Sequence, residues 1–387
     1  MASQPRDQHR SFSLNDGGPF HLLMKRLHLI RPSGMVRSAR LALFAWLPVV
    51  LAEGARAATG GRPDPTLYDL SMHTRLLVAM PMVLFAERIV EVACRSAIRT
   101  LYDGRFCDER LIDRVVDSGE RLRDARWPEV ALAAIALVGG QLALRVSGGA
   151  TGLFHGGTGA GAWSFPRMWY LAIALPLWQF VMLRWLWRWL IWSYMLARFA
   201  RLPLAPIATH PDKAAGLGAL SRPVSGFGAF AFGAGAVLAG AWATQLLAHR
   251  ATPQTHWPSL LVYLITTATL ALGPLLFFSG HLFRARRRAL AEYGDFTLHY
   301  MRGFHDKWIV RGTGDQALGT PDIQSLSDIG GAYERIEKTR WFLFGPRKLI
   351  EIWFPALLPM LPLFANALTV EQALKRIVSL VFGGLPL

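Results

Sequence analysis

The sequence predicts an all-α polytopic membrane protein with about seven transmembrane helices and a small helical cytoplasmic layer, and three observations carry that prediction. Of the 387 residues, 52% are hydrophobic and only 18% are charged. A soluble domain carries about 25% charged residues, so too little charge is present to coat a soluble surface. The apolar residues also gather into runs of roughly twenty, the length that crosses a bilayer core. Finally, 42 Lys and Arg against 26 Asp and Glu give a net charge of +16, and the basic residues lie mainly between the apolar runs, as the positive-inside pattern requires. A soluble globular enzyme is excluded, and so is a disordered chain. No basic stretch joins a recognised reading motif, so no nucleic-acid partner is expected.

Taken in order, residues 1–40 form a basic, polar N-terminal arm, too long and too polar to start a cleavable signal peptide. Residues 41–283 hold a bundle of six spans, at 41–57, 75–97, 128–146, 167–197, 223–248 and 257–283. The first is short and carries Pro48 and Glu53. Residues 284–348 form a cytoplasmic helical segment, helical over 289–308 and amphipathic over 322–340 through Leu326, Ile329, Tyr333 and Ile336. Residues 349–387 contain a seventh span at 349–368 and a C-terminal tail. Pro355, Pro359 and Pro362 make that span either kinked or re-entrant, since broken backbone survives at membrane depth only inside protein or a watery cavity.

The basic residues orient this map. Counting those at span ends with the face they adjoin, 31 of the 42 Lys and Arg fall on the face that includes the N-terminal arm and eight on the other, while Arg88, Arg184 and Arg188 lie deeper within spans. The N-terminus is therefore predicted cytoplasmic. Trp127, Trp163, Trp169 and Trp257 sit at span ends, where amphipathic rings favour the headgroup region. Cys94 and Cys107, the only cysteines, lie on the reducing side and imply no disulfide or metal framework.

Charge inside the membrane is the strongest functional signal. Glu87, Arg88 and Glu91 lie in the second span, and Arg184 and Arg188 in the fourth. Such groups are costly and either pair or face an aqueous cavity. Glu87 and Glu91 share a helix face, as do Arg184 and Arg188. At 1.5 Å per residue, the carboxylates lie about 18 and 24 Å below the outer edge and the guanidinia about 26 and 32 Å along a longer, tilted helix. The overlap predicts a cross-helix ladder of two carboxylates and two guanidinia, serving either to fix helix packing or to line a polar route. In the fifth span Ala231, Gly235, Ala239 and Ala243 recur every four residues, a face that admits close approach of another span or of a second protomer in a homo-oligomer.

On the cytoplasmic side, Arg284, Arg286, Arg287 and Arg288 open the long segment directly after a span, as a topology anchor and a contact for anionic lipid headgroups. The string Thr209-His210-Pro211-Asp212-Lys213 contains the His-Pro-Asp-Lys signature of J-domain co-chaperones. Spans within about a dozen residues on either side leave no room for that soluble module. His210 and Asp212 are candidates for a helix cap, or for half of a polar site with His299, His305 and Asp306. No zinc spacing, P-loop, nucleophile elbow or calcium loop occurs, so neither a cofactor nor a catalytic set is predicted.

Three cytoplasmic strings resemble a family of uncharacterised bacterial multi-pass inner-membrane proteins. They are His210-Pro-Asp-Lys-Ala-Ala-Gly-Leu-Gly218, then Glu292-Tyr-Gly294 with Phe304 and Lys307-Trp308, and Asp322-Ile-Gln-Ser-Leu-Ser-Asp-Ile329. The Trp-rich Leu183–Arg188 stretch fits as well, while Ala215 and Ser327 depart where Gly and Ala are expected. The resemblance runs from about residue 35 to the end. It implies the architecture and a bacterial inner-membrane location, and no activity. The residues themselves point to movement of a small ion or solute past the buried charges, with a membrane-anchored interaction or regulatory protein as the alternative.

Overall fold

A computed structural model describes residues 12–14, 17–18, 34–59, 70–146, 165–247, 253–312 and 321–365. Among these residues there is no strand. Helix α1 is Gly34–Ala58. Helix α2 begins at Leu70–His73, widens into a π turn over Thr74–Ala79 and continues as Met80–Asp103. Helices α3 and α4 are Glu109–Asp124 and Arg126–Val146. Helix α5 repeats the pattern of α2, with Phe165–Trp169, a π turn over Tyr170–Ala174, and Leu175–Phe199.

After a 3₁₀ turn at Gly218–Ser221 comes α6, Val224–Leu247. Helix α7 is a long rod that starts in the 3₁₀ turn Pro253–His256, runs through Trp257–Leu272, a second 3₁₀ turn at Gly273–Phe278 and Ser279–His305, and ends in the π turn Asp306–Val310. Helix α8 is Pro321–Glu337, and α9 consists of Pro346–Leu357, Leu358–Met360 and Leu361–Ala365.

Four stretches are long and apolar enough to cross a membrane: Ser38–Arg56, Phe165–Phe199, Gly218–Leu246 and Gln254–Val310. They coincide with the predicted first, fourth, fifth and sixth spans. The predicted second, third and seventh spans are also helical, but they are not among those four. In α2 the apolar run is interrupted by Glu87, Arg88, Glu91 and Arg95, and in α9 Pro355, Pro359 and Pro362 break the rod into short pieces. The predicted boundary at 283/284 falls inside the unbroken helix Ser279–His305. Trp163 and residues 366–368 lie outside the described residues.

The two π turns have a common local cause. Pro81 follows the first and Pro176 the second. A proline has no N–H to donate back and its ring crowds the carbonyl four residues earlier, so the turn before it widens. The turns are tied together where Arg75 Nη1 donates to the Tyr170 hydroxyl.

Helix α6 is the axis of the bundle. Gly226, Gly233 and Gly240 recur every seven residues and face α2, where a Cβ would meet the backbone at Val90, Ala79 and Ser71. Gly228 and Gly235 face α9, where a Cβ would run into the carbonyls of Glu351 and Ala356. The absent side chains let three helices pack backbone against backbone. Ala231, Gly235, Ala239 and Ala243 are all buried against helices of the same chain, and the Ala231 carbonyl accepts a hydrogen bond from Tyr263. Beside α6, Trp185 stacks on Phe230 at 3.8 Å, with Trp189 and Phe227 completing an aromatic cluster.

Candidate functional site

The buried charges collect where α2, α4 and α5 meet. Helix α5 turns Val181, Arg184, Trp185, Arg188 and Trp192 into the bundle on one face, so both arginines are carried inward with the aromatic core. Arg184 Nη1 donates to Glu87 Oε1 at 2.7 Å, and Arg184 Nε lies 3.6 Å from Glu129 Oε1. Arg188 Nη2 donates to the same Glu129 oxygen at 3.1 Å. All four side chains are 5% exposed or less. Two carboxylates thus offset two guanidinia, which is the condition for keeping charges out of water.

The network continues to the end of the bundle formed by α3, where residues 12–14 and 17–18 also lie. Helix α3 starts at Asp108, whose side chain caps the Arg110 N–H at 3.0 Å. Its buried face runs Ile112, Val115, Val116, Gly119 and then Arg123, so the same helical stripe that packs α3 delivers a guanidinium beneath it. Arg123 pairs with Asp124 at 2.7 Å and donates to the Ser13 carbonyl. Hydrogen bonding from Arg123 outweighs partial burial and holds the Asp124 carboxyl below the usual carboxylate range.

Residues 12–14 and 17–18 lie across this network as a strap. Phe12 and Leu14 are each 1% exposed, and Leu14 N–H donates to Glu91 Oε2 at 2.7 Å. Arg95 clamps both partners, reaching Glu91 Oε1 at 2.8 Å and the Phe12 carbonyl at 3.2 Å. The Gly17 carbonyl accepts from Arg188 Nη2 at 2.9 Å. Gly18 has φ +86°, and a Cβ there would crowd Glu129. Only glycine meets both demands.

The predicted residues therefore divide. Glu87 and Arg184 meet directly, whereas Arg188 takes Glu129, and Glu91 takes Arg95 and the strap. Arg88 points outward and is exposed. Sequence reasoning missed Glu129 because it sits one residue inside the predicted third span, at what depth counting makes the membrane edge. It missed the strap because residues 1–40 read as solvated. The available signal was Gly17-Gly18 in an otherwise polar arm, with Phe12 and Leu14 just before it.

The second candidate, the 210–218 string, is a self-capped loop. Asp212 accepts the N–H groups of Ala214, Gly216 and Gly218 at 2.8, 3.0 and 2.9 Å, and His210 Nδ1 lies 2.9 Å from its carboxylate. Partial burial opposes ionisation, but those three amides and His210 together hold the Asp212 carboxyl below its ordinary value. Lys213, Ala215 and Gly216 take positive φ to aim the amides inward. The Lys213 carbonyl accepts from Arg340 N at 2.8 Å, and Phe106 packs against Gly216.

His299, His305 and Asp306 are exposed on the far part of α7, and His299 Nδ1 contacts the Asp295 carbonyl at 2.8 Å. They do not gather with His210 into one site. Among the described residues, no group of three or more His, Cys, Asp or Glu is placed to hold a metal ion. Near them Asp322 accepts from Lys307 at 2.5 Å and Trp308 at 3.1 Å, latching α8 onto α7.

No protein-family model, curated protein or solved structure matches the chain. The chemistry must be read from the residues alone. The buried network balances its carboxylates against its guanidinia and reaches one end of the bundle, where residues 12–14 and 17–18 cover it. Arg184 stands between two carboxylates, with Glu87 at 2.7 Å and Glu129 at 3.6 Å.

Proposed function

We propose that this chain is a polytopic protein of a bacterial inner membrane, with a cytoplasmic N-terminus and about seven spans, that moves a small ion or solute. Four apolar helices and buried Glu–Arg pairs support the membrane reading. The basic excess on one face and the resemblance carried by the 210–218, 292–308 and 322–329 strings support the orientation and location. In this reading α2, α4 and α9 complete the seven spans.

One observation carries the transport reading: Arg188, Glu129, Arg184 and Glu87 contact one another in series inside the bundle, and Arg188 reaches on to the backbone carbonyl of Arg123, whose side chain pairs with Asp124. Charged groups at membrane depth usually mark ion or solute pathways. The strap over Arg188 and Glu91 is then the cytoplasmic closure of the route, and partner exchange by Arg184 is its internal step.

Flux through proteoliposomes under several ion gradients tests it. Flux should change in Glu87→Gln and should rise in Phe12→Ser, Leu14→Ser, which unseats the strap. Flux equal to that of empty liposomes, for the wild type and the strap variant alike, would reject an ion route.

A second reading, a membrane-anchored interaction or regulatory protein acting through its cytoplasmic loops, draws on a different observation. Two of the distinctive strings brace each other, Asp322 against Lys307 and Trp308, and the third is held at the Lys213 carbonyl by the Arg340 N–H, as a rigid docking platform would be. Variants in these strings that abolish function while leaving flux intact would favour it.

A further inference from the structure

Helix α7 passes from apolar to basic without a break, and a cleft opens at the transition. Leu276, Phe277 and Phe283 are exposed apolar residues, and Arg284 follows directly. Arg284 and Arg288, one turn apart on the same face, line a cleft of about 410 Å³ between α7 and the 204–209 segment. Thr209 adds a hydroxyl, Ile207 adds an apolar wall that is 54% exposed, and Glu292 closes the far end.

The walls are fixed. Ala205 N–H donates to the Phe106 carbonyl at 2.8 Å and Ile207 N–H to the Ala215 carbonyl at 3.0 Å, so the 204–209 segment leans on the Asp212-capped loop. Thr339 Oγ1 ties the Ala208 carbonyl to the end of α8 at 3.0 Å. His281 is held by the Ala200 carbonyl at 2.7 Å. The four arginines of this stretch do not behave alike: Arg286 is committed to the Glu337 carbonyl at 3.0 Å, whereas Arg284 and Arg288 make no ion pair among the described residues.

We infer that this cleft binds the phosphate of an acidic phospholipid headgroup, clamped between Arg284 and Arg288. Planar guanidinia suit a phosphate, and basic pockets beside spans on the cytoplasmic side recruit such headgroups. Two features select a lipid over free phosphate. The exposed Leu276, Phe277 and Phe283 provide an apolar surface for an acyl chain leading up to Arg284. The Glu292 carboxylate, one turn beyond Arg288, repels a dianion more than a singly charged phosphodiester. The inference rests on the membrane reading alone and not on the buried Glu–Arg network.

The test is thermal unfolding of purified full-length protein in detergent with dioctanoyl phosphatidylglycerol, dioctanoyl phosphatidylcholine or inorganic phosphate. Phosphatidylglycerol should raise the Tm of the wild type, and its apparent affinity should fall at least tenfold in Arg284→Gln, Arg288→Gln. Because both arginines are exposed, that variant should fold, as its Tm without lipid reports. Arg302→Gln, with one charge removed elsewhere on α7, should retain the full response. An equal lipid response in the double variant would overturn the inference. An inorganic phosphate shift as large as that of phosphatidylglycerol would overturn the lipid assignment, and an equal shift with phosphatidylcholine would overturn the requirement for an acidic headgroup.

Discussion

Arg184 and Glu87 are 97 residues apart in the chain and meet at 2.7 Å, each side chain 4% exposed. Neither side chain is tolerable at that depth alone, so the contact binds α5 to α2 more firmly than its bare Coulomb energy implies. Removing one partner leaves an uncompensated buried charge, whereas removing both restores neutrality. Glu87→Leu and Arg184→Met should therefore each destabilise the protein by about 3–5 kcal/mol. The double variant should sit closer to the wild type than either single one, because Glu129 and Arg188 remain as a balanced pair. Thermal unfolding in detergent measures this, and additive losses would contradict the pairing.

The strap should be released by breaking its clamps. Arg95→Ala removes the contacts to Glu91 and the Phe12 carbonyl, and Arg123→Ala removes the contact to the Ser13 carbonyl. With Ser13→Cys as a reporter in a Cys107→Ser background, thiol labelling should accelerate in both variants. Ser13 is 9% exposed, so the reporter should label slowly otherwise. Labelling that is already fast and unchanged by either variant would mean that the strap is not seated.

Asp212 should matter to loop structure well before it matters to any proton transfer. Asp212→Ala leaves three amides without their acceptor, at about 1–3 kcal/mol for each one that water cannot reach. Its folded carboxyl is held below its ordinary value, so the carboxylate's contribution is complete above about pH 3.9. It is lost only as pH falls through the lowered value. Asp322 behaves in the same sense, through hydrogen bonding from Lys307 and then Trp308. In a His210→Gln background, which removes the imidazole beside Asp212, protease sensitivity of the 204–218 loop should be flat between about pH 5 and 8. A transition within that interval would argue against this account.

Glycines on α6 should be far less replaceable than glycines elsewhere. Gly235→Val drives methyl groups into the Ala356 carbonyl, and Gly233→Val into the Ala79 carbonyl. Each should cost about 1–3 kcal/mol or more, the range of overpacking. Gly303→Ala on α7 meets nothing within 4 Å and should stabilise by up to about 1 kcal/mol through helix propensity. Comparable Tm values for all three variants would show that the close packing of α6 is not needed.

The order of residues alone determined the all-helical class and seven apolar runs, four of which are the stretches long and apolar enough to cross a membrane, because apolar run length is a property of neighbours along the chain. It also determined that Glu87, Glu91, Arg184 and Arg188 needed partners, since the cost of a buried charge does not depend on the fold. Which partner each one took was decided only in three dimensions. Arg188 reached Glu129 because α3 and α4 bring the start of α4 beside α5, and Glu91, one turn beyond Glu87 on the same face, took Arg95 and the Leu14 N–H instead of a second guanidinium of α5. A four-residue period showed that Ala231, Gly235, Ala239 and Ala243 share a face, but not that α2 and α9 of the same chain would cover α6. The His-Pro-Asp-Lys string was conspicuous as sequence, yet its work as a self-capped brace depends on amides at 214, 216 and 218 that positive φ angles turn back onto Asp212. Local patterns report what a segment must bury; which surface buries it is set by packing between segments far apart in the chain.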